Sequence, residues 1–140
     1  MKLSIAIIFL CAAFAINAKA QTLGSQTIRA NVPFSFTVGE KTLPAGVYTV
    51  SILNPASDRK VLQIRSEDGH VSAIIQTVGT KGTLSNSAKL IFHRYGERYF
   101  FAKAQLAGDS TNLATTKTNA ERATQRAMKR VASNTEIAAL

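Results

Sequence analysis

Two histidines, His70 and His93, and eight carboxylates are the groups this chain offers for acid–base or metal chemistry, since its one cysteine, Cys11, sits near the start. The carboxylates are spread thinly. No H-E-x-x-H helix, G-x-S-x-G elbow, phosphate-cradling P-loop or paired Cys/His spacing occurs. The expectation is therefore no catalytic residue, no metal site and no cofactor. His70 faces Glu67 across Asp68-Gly69, and an exposed pair there is worth only ~0.2–1 kcal/mol. His93 alternates with Ile91 and Tyr95 on an apolar face, which reads as a hydrogen-bonded core or rim histidine. A carboxylate meeting His93 in an open pocket would instead support a small extracytoplasmic hydrolase, the rival reading.

Two basic constellations could bind rather than react. Arg94, Tyr95, Arg98 and Tyr99 are the one aromatic–basic cluster, a possible stacking platform for a sugar or an anionic ligand. The plainer account is two cross-strand pairs, Arg94 with Tyr99 and Tyr95 with Arg98, each worth ~0.2–1 kcal/mol. Arg122, Arg126, Lys129 and Arg130 form a stripe suited to an anionic surface, where each charge contributes ~1 kcal/mol. A solvated helix face explains the stripe equally well. Gly79-Thr80-Lys81-Gly82 could form an anion nest, but with no helix start behind it a flexible loop is expected.

The elements that must carry these residues are mostly strands. Val32, Phe34, Phe36 and Val38 alternate with Pro33, Ser35 and Thr37, which is the pattern of a half-buried strand, and Pro33 marks it as an edge. Such an edge could accept a partner strand. Leu43-Pro44-Ala45-Gly46 turns the chain into a strand from Val47 to Leu53, which Asn54 to Asp58 ends. Val61 to Ser66 and Val71 to Val78 flank Asp68-Gly69 as a hairpin, with Ile64 opposite Ala73 and Leu62 opposite Ile75. Gly79 to Ser87 reads as a polar loop. Lys89 to Tyr95 and Arg98 to Leu106 form a second hairpin around a type II′ turn at Gly96-Glu97. Leu90, Phe92 and Phe101 share one of its faces, and Ile91, Phe100, Ala102 and Ala104 the other. A pair apolar on both faces is covered twice.

The cover expected for the second face is a helix over 117–132. Thr118 with Glu121 makes a capping box. Ala120, Ala123, Thr124, Ala127, Met128 and Val131 form its apolar side. Alanines bury little area, so at roughly 25 cal/mol per Å² the docking would be weak.

The first twenty residues place the protein. Lys2, the apolar run Leu3 to Ile16 and the small-x-small site Ala18-Lys19-Ala20 before Gln21 are the layout of a secretory signal peptide. Leu10 before Cys11 does not suit a lipid-attachment site. An exported protein, periplasmic or extracellular, is expected. Beyond residue 20 the chain keeps 15 of its 17 basic residues and all 8 acidic ones, a net +7. That excess favours an anionic envelope polymer or an envelope protein as partner, and export makes nucleic acid the least favoured. Charge that serves solubility alone is the other reading. No later apolar run approaches the ~18 residues of a membrane span.

Val32-Pro33-Phe34-Ser35-Phe36-Thr37-Val38-Gly39 with Leu43-Pro44-Ala45-Gly46-Val47-Tyr48-Thr49-Val50, and then Lys89-Leu90-Ile91-Phe92-His93-Arg94-Tyr95-Gly96-Glu97-Arg98-Tyr99-Phe100-Phe101, resemble segments of a group of small exported bacterial proteins. A basic Glu-Arg-containing helix near the end matches too. The resemblance brings no activity with it, and it breaks after Phe101, where Ala102-Lys103-Ala104-Gln105 replaces a larger apolar run. The segment Leu43 to Val50 also resembles a strand of carboxypeptidase-regulatory and prealbumin-type β-sandwich modules, which implies a sandwich.

The sequence thus predicts a mainly β protein, an antiparallel six-stranded sandwich or open barrel with one C-terminal α-helix. Its divisions are a signal peptide (1–20), a flexible leader (21–27), the β domain (28–107), a linker (108–116), the basic amphipathic helix (117–132) and a tail (133–140). The leading functional reading is a non-catalytic exported binding or structural module, with oligomeric state open.

Overall fold

The computed structural model describes residues 26–129 and 133–140. The expected signal peptide with Ala18, Ala20 and Gln21, most of the leader, and Arg130 lie outside these residues. In chain order the elements are β1 (Thr27–Val32), β2 (Phe36–Val38), β3 (Lys41–Leu43), β4 (Gly46–Ile52), β5 (Val61–Ser66), β6 (Ser72–Gln76), β7 (Val78–Lys81), β8 (Lys89–Tyr95), β9 (Arg98–Gln105), β10 (Thr111–Ala114), α1 (Asn119–Met128) and β11 (Ser133–Ala138). One sheet runs β1-β4-β5-β6 and the other β11-β8-β9-β10-β7, with β2 pairing β3 and bridging β9. The protein is mainly β with one described helix, as expected. The described strands number eleven rather than six, and they close no barrel.

Both sheets feed one core. Ile28, Val50, Leu62 and Ile64 come from the first, and Leu90, Phe92, Phe101 and Leu113 from the second. Phe92 sits at its centre, with the rings of Phe34, Phe36 and Phe101 set edge-on around it at 5.2, 5.2 and 5.9 Å.

The extra strands have identifiable causes. The alternation from Val32 to Val38 is real, with Val32, Phe36 and Val38 buried. The pairing is not continuous, because at Pro33 the chain leaves the first sheet and at Phe36 it joins the second. A residue with no N–H suits that crossing. The expected edge is therefore split: β1 ends its sheet with β4 as its one strand partner among the described residues, whereas β2 lies between β3 and β9, which it touches through Thr37 and Phe100. The run from Val71 to Val78 divides in the same way at Thr77, giving β6 to one sheet and β7 to the other. The stretch read as a polar loop from Gly79 thus begins as a strand, not a nest.

Both expected hairpin registers are present. Leu62 faces Ile75 and Ile64 faces Ala73, but the turn is wider than two residues: Ser66 N–H donates to Val71 O and Gly69 N–H to Ser66 O. Arg94 faces Tyr99 and Tyr95 faces Arg98. Gly96 has φ +61 and Glu97 has no positive φ, which fits the type II′ turn. Between Ile91 and Phe92 the register shifts by one, so Ala102 is an extra residue. That bulge turns Ala104 into the main core, opposite to its expected face, because a one-residue slip inverts every side chain beyond it.

The segments expected as a linker (108–116) and a tail (133–140) contain strands. The linker carries β10, between β9 and β7. The tail is β11, paired with β8 from Ser133–Arg94 to Ala138–Lys89. Ala139 N–H then donates to Ala88 O, and Leu140 N–H to Arg29 O at 2.8 Å.

Candidate functional site

The second face of β8 and β9 is covered by α1, as the apolar pattern requires, but the helix meets it through a different side. Thr118 caps the helix and accepts the Glu121 N–H at 3.2 Å. Lys129, at φ +48, closes it after Met128, short of the expected 132. Ala120, Ala123 and Ala127 are exposed, whereas Glu121 and Thr124 are buried and Met128 half-buried. The apolar side expected from the alanines is therefore corrected by a rotation about the helix axis.

Polar anchoring sets that rotation. Glu121 is 3% exposed, and its Oε1 accepts from His93 Nδ1 at 2.6 Å and from the Tyr95 hydroxyl at 3.0 Å. Only half the capping box forms, since the carboxylate turns inward to these two. A buried carboxylate left without donors is costly, so this pairing outweighs the small area of alanines. At the helix end Met128 packs over the hairpin turn, where a Cβ on Gly96 would fall 2.6 Å from Met128 Cε.

With the carboxylate accepting, His93 Nδ1 carries the hydrogen and the ring is fixed in orientation. Burial, then the Glu121 hydrogen bond and charge, push the Tyr95 hydroxyl up to about 12. The cavity beside the cluster, lined by Thr37, Phe100, Thr118 and Glu121 among others, holds about 10 Å³. That is room for about one water.

The four-residue platform does not assemble. Tyr95 is 0% exposed and faces α1. Tyr99 stacks on Phe34 at 3.7 Å with 12° between the planes, and Arg94 lies 5.5 Å from the Tyr99 ring while its Nε donates to Gly96 O. Arg98 lies 5.7 Å from the Phe100 ring. Strand alternation puts the pairs on opposite faces, and the rings are already in contact with protein.

The basic stripe does stand free. Arg122, Arg126 and Lys129 are exposed, and the salt bridges among the described residues involve none of them. Arg122 donates to Asn119 Oδ1, and Arg126 Nε to Arg122 O, both at 3.3 Å. The Met128–Gly96 contact brings the end of this stripe beside the hairpin that carries Arg94 and Arg98.

His70 does not pair with Glu67, whose carboxylate binds Arg29 instead. Asp68 accepts from the Ser66 hydroxyl at 2.6 Å and the His70 N–H at 3.0 Å, and these bonds, the hydroxyl first, hold its carboxyl below the usual range. An open cleft of about 400 Å³ between Pro44–Tyr48 and Ser66–Asp68 was not foreseen. The two turn signals that build it could have been placed side by side from the β4–β5 pairing. No group of three or more metal-ligating side chains occurs among the described residues, and no described helix is long and apolar enough to cross a membrane.

Set beside known proteins, the chain matches no family model, no curated protein and no solved structure.

Proposed function

We propose that this chain is a non-catalytic exported module, a β-sandwich of the envelope or the secreted fraction, that contacts anionic surface polymer through the helix stripe. The observation that carries this reading is the rotation of α1. With Glu121 and Thr124 turned inward, Arg122, Arg126 and Lys129 face solvent without carboxylate partners among the described residues. Arg130 follows them in sequence, and Arg98, on the face of the neighbouring hairpin that meets α1, extends the charge. Such a patch attracts polyanions, with a strength that falls as salt rises. The exposed alanines offer too little apolar area for insertion into a bilayer. The signal-like first twenty residues, and the resemblance to small exported bacterial proteins, support the location.

The test titrates the chain against acidic polysaccharide and anionic vesicles at low and high salt. A variant with Arg122, Arg126, Lys129 and Arg130 all changed to Gln is run alongside. Salt-sensitive binding that the variant loses is the expected result. Equal binding by both, or binding by neither, overturns the reading and leaves an envelope protein as the partner to seek.

A second reading, a small extracytoplasmic hydrolase, draws on the His93–Glu121 bond. The void beside that pair is far below substrate size, so α1 would have to lift for turnover. Ester or amide turnover lost in His93→Ala would favour it.

A further inference from the structure

The two sheets adjoin along two sides, and the sides differ. On one, Leu140, just past β11, donates a backbone hydrogen bond to Arg29 O on β1. On the other, the chain passes from β6 to β7 through Thr77, and both strands end their sheets. β6 is partly screened there, since Lys41 Nζ donates to Ser72 O and Gly39 lies against Ile75. β7 is exposed at every residue and pairs with β10 alone among the described strands.

The direction of its free groups follows from the register. Gly82 N–H donates to Ser110 O at 2.7 Å, and Thr80 faces Asn112. Antiparallel hydrogen-bonded pairs recur at every second residue. Val78 and Thr80 therefore turn their backbone groups toward β10, and Gly79 and Lys81 turn theirs outward. Edges are usually guarded by charge or proline. Here residues 71–88 contain no proline and one charged residue, Lys81. Ile74, Val78 and Leu84 from the same stretch are 63%, 53% and 67% exposed, three of the five large apolar residues left open among the described residues.

We infer that β7 pairs antiparallel with β7 of a second copy of this chain, about a two-fold axis at Thr80. Two-fold registers centred on Gly79, Thr80 and Lys81 each set outward groups against outward groups. Centring on Lys81 sets like charges opposite each other. Centring on Gly79 sets Lys81 against Thr77, whose N–H already donates to Lys60 O. Centring on Thr80 pairs Gly79 of each copy with Lys81 of the other, which satisfies all the outward groups of both residues. Each lysine then faces a glycine, and Thr80 faces Thr80, a favourable cross-strand pair. In a chain of net charge +9, this near-neutral border is also where two copies approach with least repulsion. The strand is short, so the contact belongs to the weak class below roughly 1,200 Å². It is independent of polyanion binding.

Sedimentation equilibrium of the chain should give a concentration-dependent dimer. Thr80→Lys, which sets two lysines face to face, should weaken it by about tenfold or more. Lys81→Pro should do the same, since it removes only an outward N–H. Non-hydrogen-bonded antiparallel neighbours have Cα atoms about 4.5 Å apart, within disulfide range. Thr80→Cys in a Cys11→Ser chain should therefore oxidise to a covalent dimer. Amide exchange on the unaltered chain gives a readout that needs no variant: Gly79 and Lys81 should gain protection as concentration rises. A monomer at all concentrations overturns the inference, including one that binds extended peptides at β7. So does a dimer indifferent to both blocking variants and uncrosslinked through Thr80→Cys.

Discussion

Glu121 on α1 accepts a hydrogen bond from His93 on β8 at 2.6 Å, across 28 residues of chain, and this bond, with its companion from Tyr95, determines which side of the helix faces the sheet. An amphipathic helix normally docks by apolar area. This one docks by a carboxylate, and its exposed cations follow from that geometry.

Removal of the carboxylate should loosen the helix more than the fold. Glu121→Ala leaves His93 and Tyr95 without their acceptor and should cost about 2–3 kcal/mol, read by chemical denaturation. Glu121→Gln should cost less. A double-mutant cycle with His93→Ala should return a coupling of about 1 kcal/mol or more; strict additivity would count against the anchoring role.

Alkaline pH should weaken the protein through Tyr95. Its folded-state value, about 12, lies above the ordinary 10.0 of the unfolded chain. The native state therefore holds the proton more tightly, and the stabilisation is complete below pH 10 and lost as pH rises toward 12. The total is at most about 3 kcal/mol. Tyr95→Phe should flatten that part of the stability–pH curve, and phenolate absorbance should lose a late-titrating component.

At the other end of the pH scale the β5–β6 turn should loosen. The Asp68 carboxyl is held below its ordinary 3.8. Its contribution is present above that value and lost as pH falls through the lower folded-state one. Ser66→Ala removes the leading cause and should raise the Asp68 value, measured by carbonyl NMR titration.

Tyr48 closes the Pro44 turn, its hydroxyl donating to Pro44 O at 2.5 Å, in the manner of a tyrosine corner. Tyr48→Phe should cost about 1 kcal/mol by thermal or chemical unfolding, with the fold unchanged. A neutral result would assign the turn to the ring's burial alone.

Deletion of residues 133–140 should destabilise the protein strongly, because it strips β8 of a six-residue partner. Lower stability and aggregation through the bared β8 edge are the expected signs.

Local pairing was legible where a turn and an alternation agreed. The registers at Ile64–Ala73 and Arg94–Tyr99 followed from Asp68-Gly69 and Gly96-Glu97 with apolar residues on either side. Crossings between sheets were not legible, because Val32 to Val38 keeps one alternation through a change of partner at Pro33. Nor was the Ala102 bulge, which leaves no mark in an already apolar run. Ser133 to Ala138 lacks a strand pattern, since one edge and one half-buried face suffice to hold it. In the site, the stripe at Arg122, Arg126 and Lys129 was readable as exposed charge. Its inward counterpart was not, because a Glu at the third helical position signals a cap far more often than an anchor. That Glu121 would meet His93 is a tertiary fact, set by where α1 lands.

The hydrogen bond from Leu140 to Arg29 brings one end of the described chain back beside the other. In topological terms the fold is close to a ring, and where the ring is cut matters less than that it can close. A permuted chain joined from Leu140 to Gln26 by a short flexible linker and opened between Leu84 and Ser87 would keep every strand pair described above.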